Sequence, residues 1–372
     1  MSRRITDPPM LSCLALAMAL ILCSPLPLLA RQFEMALPGF KFEFPRDHAS
    51  HNSYKTEWWY YTGHLSADDG HQFGYEVTFF RSALDVVHGV ESPWSVDNVY
   101  LAHFAVSDIS AKNFFHTSRL NRAGIGFAGA DTSKYNVWNQ NWSANLSGDV
   151  QKITATGDGY NLVLNLHPLK RAIVHGENGV SQKASCRGCA SHYYSFTRLK
   201  SDGTISAAGK SYRVYGTSWM DHEFGSNQIA ADQAGWDWYS VQLDDNSEFM
   251  LYIMRRKDGT IDPNSSGTVV TADGTSRHLN AQSYKVKSTD SWRSPATDAT
   301  YPMGWTIDIP SLNTTLNIVP AMLNQELDKK RASDVSYWEG ACDVTGVKAG
   351  HKVSGKAYVE MTGYAGAFNA GI

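Results

Sequence analysis

The feature that most constrains the fold of this 372-residue chain is its succession of short aromatic and β-branched runs separated by tight turns. Such runs favour β-strands, because branched and aromatic side chains pack well on a pleated surface. Aspartate–glycine pairs, typical of hairpin turns, separate many of them: Asp69-Gly70, Asp158-Gly159, Asp202-Gly203, Asp258-Gly259 and Asp273-Gly274. Strands do not alternate with helices, so the sequence predicts an all-β antiparallel protein. The best candidate for a short helix is the stretch from Ala321 to Arg331.

The predicted strands outnumber those of one eight-stranded barrel, and the length corresponds to about two domains. The strand pattern is interrupted within residues 215–235. We therefore predict an N-terminal β domain over residues 31–228 and a C-terminal β domain over residues 229–372.

The first 30 residues resemble a cleaved export signal. Two arginines precede an apolar run over residues 10–23, and the pattern ends near Ala30. No second long apolar stretch follows, so we expect a soluble secreted or periplasmic protein without a stable membrane span. Lipidation at Cys23 is the less favoured alternative, because Leu22 is bulkier than the small residue that such sites require.

The net charge argues against one class of partner, and the cysteines allow several chemical states. The chain has 33 Lys plus Arg and 36 Asp plus Glu, a net charge of −3, which argues against nucleic-acid binding. Cys186, Cys189 and Cys342 follow the predicted signal. The first two either close a small disulfide loop or remain free thiols, with a redox motif or half of a zinc site as less favoured alternatives.

Several familiar catalytic motifs are absent. Residues 216–220 lack the last glycine of a nucleophile elbow, and His222-Glu223 lacks the second histidine of a zinc protease. His48 and His51 are close enough in sequence to share a metal, but no third ligand is defined. We therefore predict neither a metal nor a cofactor.

Two segments place ionisable groups among large aromatic side chains. Residues 219–224 contain three consecutive titratable side chains, and residues 235–239 set an aspartate between two indoles. An aspartate facing an apolar cavity keeps its proton near neutral pH and could protonate an alkene, with aromatic faces stabilising the cation. The alternative is that these acids form structural salt bridges. The candidate catalytic residues are Asp221, Asp237, His222, Glu223 and Tyr239.

The segment from Glu57 carries aromatic side chains on both faces of a predicted strand, which suggests burial on both sides. A buried Glu57 needs a partner, which Arg81 or Arg198 could provide, and we assign these three residues a structural role. Lys183 and Tyr193 either line a cavity or fill a core.

Four ordered motifs resemble the AttH-like secreted proteins, which are related to the carotenoid 1,2-hydratases and more remotely to fungal lipocalin-like Diels-Alderases. They occupy residues 51–65, 191–199, 218–225 and 235–239. The resemblance implies two lipocalin-like, calycin-type β domains with a ligand cavity at or near their interface. It also implies proton donation from an aspartate in an aromatic pocket to a terminal isoprenoid double bond, followed by addition of water. The candidate ligand-binding residues are Trp58, Trp59, Tyr61, Tyr194, Trp219, Trp236 and Trp238.

We thus expect an exported protein that binds a lipophilic small molecule and carries out hydratase-type acid–base chemistry on an alkene. One alternative is a non-catalytic lipid-binding accessory protein of an ABC transport system, which would have a membrane component of the transporter as partner. A second alternative is a secreted hydrolase.

Overall fold

The computed structural model describes residues 31–85, 92, 95–328 and 336–366. Within these residues the chain is nearly all β, with two short 3₁₀ helices at Arg46–His48 and Pro310–Leu312. The predicted export signal lies outside the described residues. The strands are β1 Thr56–Ala67, β2 Gln72–Ala83, β3 Asn98–Asp108, β4 Asn113–Arg122, β5 Ala128–Ala130, β6 Asn136–Asn139, β7 Trp142–Ser147, β8 Val150–Thr156, β9 Asn161–Pro168, β10 Ile173–Val174, β11 Ser181–Gln182, β12 Ala190–Ala207, β13 Lys210–Gly225, β14 Gln233–Leu243, β15 Glu248–Arg256, β16 Ser266–Val270, β17 Ser276–Asn280, β18 Lys285–Arg293, β19 Thr300–Ile309, β20 Thr314–Pro320, β21 Glu326–Leu327, β22 Tyr337–Lys348 and β23 His351–Met361.

The strands form two antiparallel sheets, as the sequence predicted. Sheet one has the order β4-β3-β2-β1-β13-β12-β9-β8-β7-β6-β5, with β10 and β11 paired to β12, and curls into a nearly closed barrel. Sheet two has the order β17-β16-β15-β14-β23-β22-β20-β19-β18, with β21 paired to β22, and forms a half-barrel. The architecture is that of two lipocalin-like units, and the segment 226–232 connects the last strand of sheet one to the first of sheet two.

Strand β1 shows why aromatic residues occupy both of its faces. Trp59 and Tyr61 point into the core of the first barrel. Tyr60 points the other way, into an aromatic cluster that includes Trp238 of sheet two, and Trp58 packs against that cluster. Because successive side chains alternate across a strand, one strand lines both the barrel core and the contact between the sheets.

The helix expected from Ala321 to Arg331 is not found in the described part of that segment, so this prediction was wrong there. Residues Glu326–Leu327 instead pair with β22. The Glu326 carboxylate accepts hydrogen bonds from the hydroxyls of Thr297 and Tyr301, at 2.6 and 2.7 Å. These tertiary contacts outweigh the local helical preference.

The cysteines follow one of the alternatives left open by the sequence. Cys186 and Cys189 form a disulfide, and Cys342 is a buried free thiol in the core of sheet two. Among the described residues, no helix is both long and apolar enough to cross a membrane.

Candidate active site between the two sheets

A cavity of about 600 Å³ lies between the outer face of sheet one and the facing side of sheet two. Strand register explains its wall on sheet one, since side chains opposite each other on neighbouring strands form rows. One row contains Tyr193, Glu223, Trp58, Phe80 and Leu101, and the next contains Ser195, Asp221, Tyr60, Thr78 and His103. Both rows lie on the face opposite the barrel core, and all of these residues except Ser195 line the cavity.

The opposite wall comes from sheet two. Its lining residues are Gln233, Trp236 and Trp238 of β14, Tyr252 and Met254 of β15, Tyr337 of β22 and Glu360 of β23. The connecting segment contributes residues 226–231 to the lining. The cavity therefore combines an aromatic lining with a small number of carboxyl groups, a composition common in sites for apolar ligands.

Three hydrogen bonds hold Asp221 in the wall of this cavity. Its Oδ2 accepts a hydrogen bond from the Tyr193 hydroxyl at 2.7 Å, and its Oδ1 accepts one from Trp219 Nε1 at 2.5 Å. The Ser195 hydroxyl also donates to Oδ1. Burial raises the pKa of Asp221 to about 7 against the effect of these donors. The carboxyl group is therefore partly protonated at neutral pH, as a general acid requires.

A histidine that the sequence analysis missed contacts the serine that is bonded to Asp221. His175 Nε2 lies 2.6 Å from the Ser195 hydroxyl oxygen, and His175 Nδ1 lies 2.8 Å from Thr268 Oγ1. Burial lowers the pKa of His175 to about 3, so the imidazole is neutral. It can donate to Ser195, which in turn donates to Asp221, and this arrangement fixes the orientation of the serine hydroxyl.

Glu223 is paired with a buried cation. Lys183 Nζ lies 3.0 Å from Glu223 Oε1, and the Ser191 hydroxyl donates to the same carboxylate oxygen. The ammonium group also lies 4.1 Å from the ring centre of Tyr252. Burial alone would lower the pKa of Lys183, but the Glu223 carboxylate raises it overall. Lys183 thus lines the cavity as a fixed positive charge.

Glu57 and His222 lie together at the barrel side of β1 and β13. Glu57 Oε1 accepts hydrogen bonds from His222 Nε2 at 2.8 Å and His51 Nδ1 at 2.9 Å. Its Oε2 accepts from Arg81 Nε at 3.1 Å and from the Ser50 hydroxyl at 2.7 Å. Although burial opposes it, hydrogen bonds from the two histidines and the charge of Arg81 keep the pKa of Glu57 well below its ordinary value.

The ligand-type atoms of His51, Glu57 and His222 lie within 4.8 Å of one another, so their chemistry would suit a metal ion. His51 Nδ1 and His222 Nε2 both already lie at hydrogen-bonding distance from the Glu57 carboxylate. The Arg81 guanidinium is bound to the same carboxylate and would repel a metal cation. The cluster is therefore better described as a buried charge network than as a metal centre.

The remaining predicted residues occupy other places. Arg198 pairs with Glu248 at 2.6 Å rather than with Glu57. Asp237 bonds Arg255 Nε at 3.0 Å, and it shares with Tyr239 the strand face opposite the two indoles. The aromatic residues that pack in the first barrel instead of lining the cavity are Trp59, Tyr61 and Tyr194.

Of the predicted residues, those that line the cavity are Asp221, Glu223, Trp58, Trp236, Trp238, Glu57 and Arg81, and Trp219 is bonded to Asp221. Glu360, Ser195 and His175 were missed by the sequence analysis. Glu360 stands in an ordinary strand run without a motif, and its only signal is a carboxylate among apolar residues. For Tyr193 and Lys183 the sequence left a cavity and a core as alternatives, and both residues line the cavity.

Comparison with known proteins shows the family to which this chain belongs. The AttH-like family model matches residues 35–364, which is most of the chain. The chain belongs to the AttH-like family. Among solved structures, an AttH of Nitrosomonas europaea has 32% sequence identity and a TM-score of 0.80, covering 89% of this chain and 100% of that one. A comparison with curated proteins gave no match.

Two more distant structures show that the AttH-like fold is shared more widely. Kievitone hydratase from Nectria haematococca has 13% identity and a TM-score of 0.67, with 92% of this chain and 99% of that one covered. CghA, solved with Sch210972, has 13% identity and a TM-score of 0.56, with 90% and 98% covered. At this identity the likeness concerns the fold.

Buried acids give this AttH-like protein an unusual dependence on pH. Burial raises the pKa of Asp221 and of Glu360 to about 7 and that of Glu76 to about 8. The folded protein keeps these protons, whereas the unfolded chain releases them from about pH 4 upward. The stability that these groups contribute is therefore lost as the pH rises towards 7 and 8.

Buried histidines act in the opposite direction. Burial lowers the pKa of His48 and His64 to about 4 and that of His103 and His175 to about 3. The unfolded chain takes up these protons below about pH 6.5, so the folded protein loses stability as the pH falls from there.

Below about pH 6.5 the four histidines outweigh the three acids, and above it only the acids still titrate. We therefore expect the free energy of unfolding to be greatest near about pH 6.5 and to decrease on both sides, by at most about 1.4 kcal/mol per pH unit for each titrating group. Urea titrations across this range measure it. In the Glu76→Gln variant the alkaline decrease should be shallower, and an unchanged slope would contradict the contribution of Glu76.

Proposed function

We propose that this protein is a hydratase that adds water to an alkene of a lipophilic molecule bound between the two sheets. The observation that carries the proposal is the protonatable Asp221 in the wall of an aromatic cavity. The proposal is supported by the likeness in fold to a protein named kievitone hydratase, whose name indicates a hydration reaction. A terminal isoprenoid double bond is the proposed target, because protonation there gives a tertiary cation.

In the proposed reaction, protonated Asp221 donates its proton to one alkene carbon, and the other carbon becomes cationic. The faces of Trp58, Trp236 and Trp238 line the cavity where this charge develops, and aromatic faces attract cations. Tyr193, bonded to both Asp221 and Trp238 Nε1, holds the acid towards the cavity. Water then bonds to the cation and releases a proton, so the product is an alcohol.

The test is incubation of the purified protein with kievitone and with acyclic isoprenoid alkenes in ¹⁸O-labelled water, followed by mass spectrometry. Hydration adds one labelled water to the substrate mass. Binding measured by tryptophan quenching without any mass change would favour the alternative of a lipid-binding accessory protein. Cleavage into two products would favour a hydrolase.

A smaller prediction concerns the apolar end of the cavity, where Trp58, Phe80 and Leu101 stand side by side on three strands. The Trp58→Ala variant should weaken binding of an active alkene by about 10-fold or more, because a large aromatic contact is lost. The matched control is Trp292→Ala, because Trp292 packs against the core of sheet two and does not line the cavity, and this variant should bind normally. Equal affinity of the two variants would contradict this placement of the ligand.

We also propose that the protein is exported. Residues 1–30 have the pattern of a cleaved signal, and a disulfide between Cys186 and Cys189 is typical of an oxidising compartment. Fractionation of cells that express the full chain, with intact-mass measurement of the product, tests this. A mature chain that begins near Arg31 in the exported fraction would support it, and an intact chain in the cytoplasm would contradict it.

A further inference from the structure

Glu360 is the carboxyl group that sheet two contributes to the cavity. It lies on β23 directly opposite Trp238 of β14, and its half-buried side chain lines the cavity. Its Oε2 accepts a hydrogen bond from Trp236 Nε1 at 2.9 Å, which holds the carboxyl group in place.

Two hydrogen bonds and one cross-strand contact connect Asp221 to Glu360, and the charge of Asp221 acts on Glu360. The Tyr193 hydroxyl bonds Asp221 Oδ2 at 2.7 Å, and Trp238 Nε1 donates to the Tyr193 oxygen at 3.1 Å. Trp238 is the cross-strand neighbour of Glu360. The two carboxyl groups thus line the same cavity from opposite walls, one on each sheet.

The charges around Glu360 agree with this placement. Asp221 and Glu223 face it from β13, and Glu339 is its cross-strand neighbour on β22. Burial first, and then the charges of Asp221 and Glu223, raise the pKa of Glu360 to about 7 against the effect of the Trp236 indole. A carboxyl group that titrates near neutral pH can exchange a proton with water during a reaction cycle.

We propose that Glu360 is a second catalytic residue, the base that accepts a proton from the attacking water. The inference rests on the proposed hydratase function. The Asp221 O–H bond breaks and a C–H bond forms; the water oxygen then bonds to the cationic carbon while one of its protons passes to the Glu360 carboxylate. Transfer of that proton from Glu360 to Asp221 through water restores both groups, so the net reaction consumes only alkene and water.

The test compares three variants on an alkene that the wild-type protein hydrates in ¹⁸O-labelled water. Glu360→Gln should lower kcat by about 100-fold or more, while tryptophan quenching shows unchanged binding. Glu360→Asp keeps a carboxylate and should retain part of the activity. Glu339→Gln is the matched control, because it removes the neighbouring buried carboxyl that does not line the cavity, and it should stay within about threefold of wild type.

The pH profile separates a catalytic from a structural role. The wild-type rate should rise as Glu360 loses its proton and fall as Asp221 loses its own, giving a bell-shaped curve. In Glu360→Gln the rate should no longer decrease towards acidic pH, because the group that causes this decrease is absent. A merely structural effect would lower the rate without removing this part of the pH profile. If Glu360→Gln had full activity and the same bell-shaped pH profile as the wild type, the role of Glu360 would be overturned but the hydratase function would not. If the wild-type protein hydrated no alkene, the proposed function would be overturned as well.

Discussion

Replacement of Glu57 by glutamine is expected to lower the free energy of unfolding by about 3–5 kcal/mol, the largest stability effect that we predict. Both side chains of the Glu57–Arg81 pair are fully buried, and the distance between Arg81 Nε and Glu57 Oε2 is 3.1 Å. Glutamine leaves the Arg81 charge uncompensated in the interior. Against the effect of burial, the carboxylates of Asp47 and Glu57 raise the pKa of His51, and glutamine removes the second of them.

The measurement is urea denaturation followed by circular dichroism at neutral pH. The matched control is Asp85→Asn, which breaks the exposed pair between Lys55 and Asp85 and should cost no more than about 1 kcal/mol. If Glu57→Gln were as stable as this control, the network would contribute little and the account of a buried compensated charge would be wrong.

Replacement of Asp221 by asparagine is expected to reduce hydration by about 10²- to 10⁴-fold, the usual contribution of a general acid. Asparagine has nearly the same shape and can still accept from Trp219 and Ser195, but it has no carboxyl proton to donate. Steady-state rates in ¹⁸O-labelled water measure the effect, and tryptophan quenching by the same alkene checks that binding persists.

Asp237→Asn is the control for this experiment, because Asp237 also stands beside indoles in sequence. Its carboxylate instead faces Arg255 and Tyr364, away from the cavity. We expect its turnover to stay close to that of wild type. Loss of activity in Asp237→Asn together with normal activity in Asp221→Asn would reverse the assignment of the acid.

The sequence was most informative where local rules act. Alternation along a strand is sufficient to set Asp237 on the face opposite Trp236 and Trp238, and the structure has this division of faces. The turn residues and aromatic runs were sufficient to predict an antiparallel protein. Such features depend on neighbours within a few residues, so a single sequence contains them.

The composition of the site depended on long-range pairing and was harder to predict. Glu57 had two candidate partners, and only the β1–β2 register, which sets it opposite Arg81, decides between them. Glu360 meets an indole 124 residues away in sequence, and His175 touches Ser195 through a fold contact that no motif marks. Sheet packing, which sequence patterns do not specify, brings these groups together.

Asp221 lies between two sheets that are formed by different parts of the chain, so the protonation of this acid depends on the packing of the two sheets against each other. Its desolvation requires the wall of sheet two, and its partner Tyr193 is held by an indole from that sheet. His175 spans the same division, touching Ser195 on one side and Thr268 on the other. A chain whose second half has detached would carry an ordinary, ionised aspartate at this position, so a carboxyl group that keeps its proton near neutral pH exists only in a correctly closed molecule.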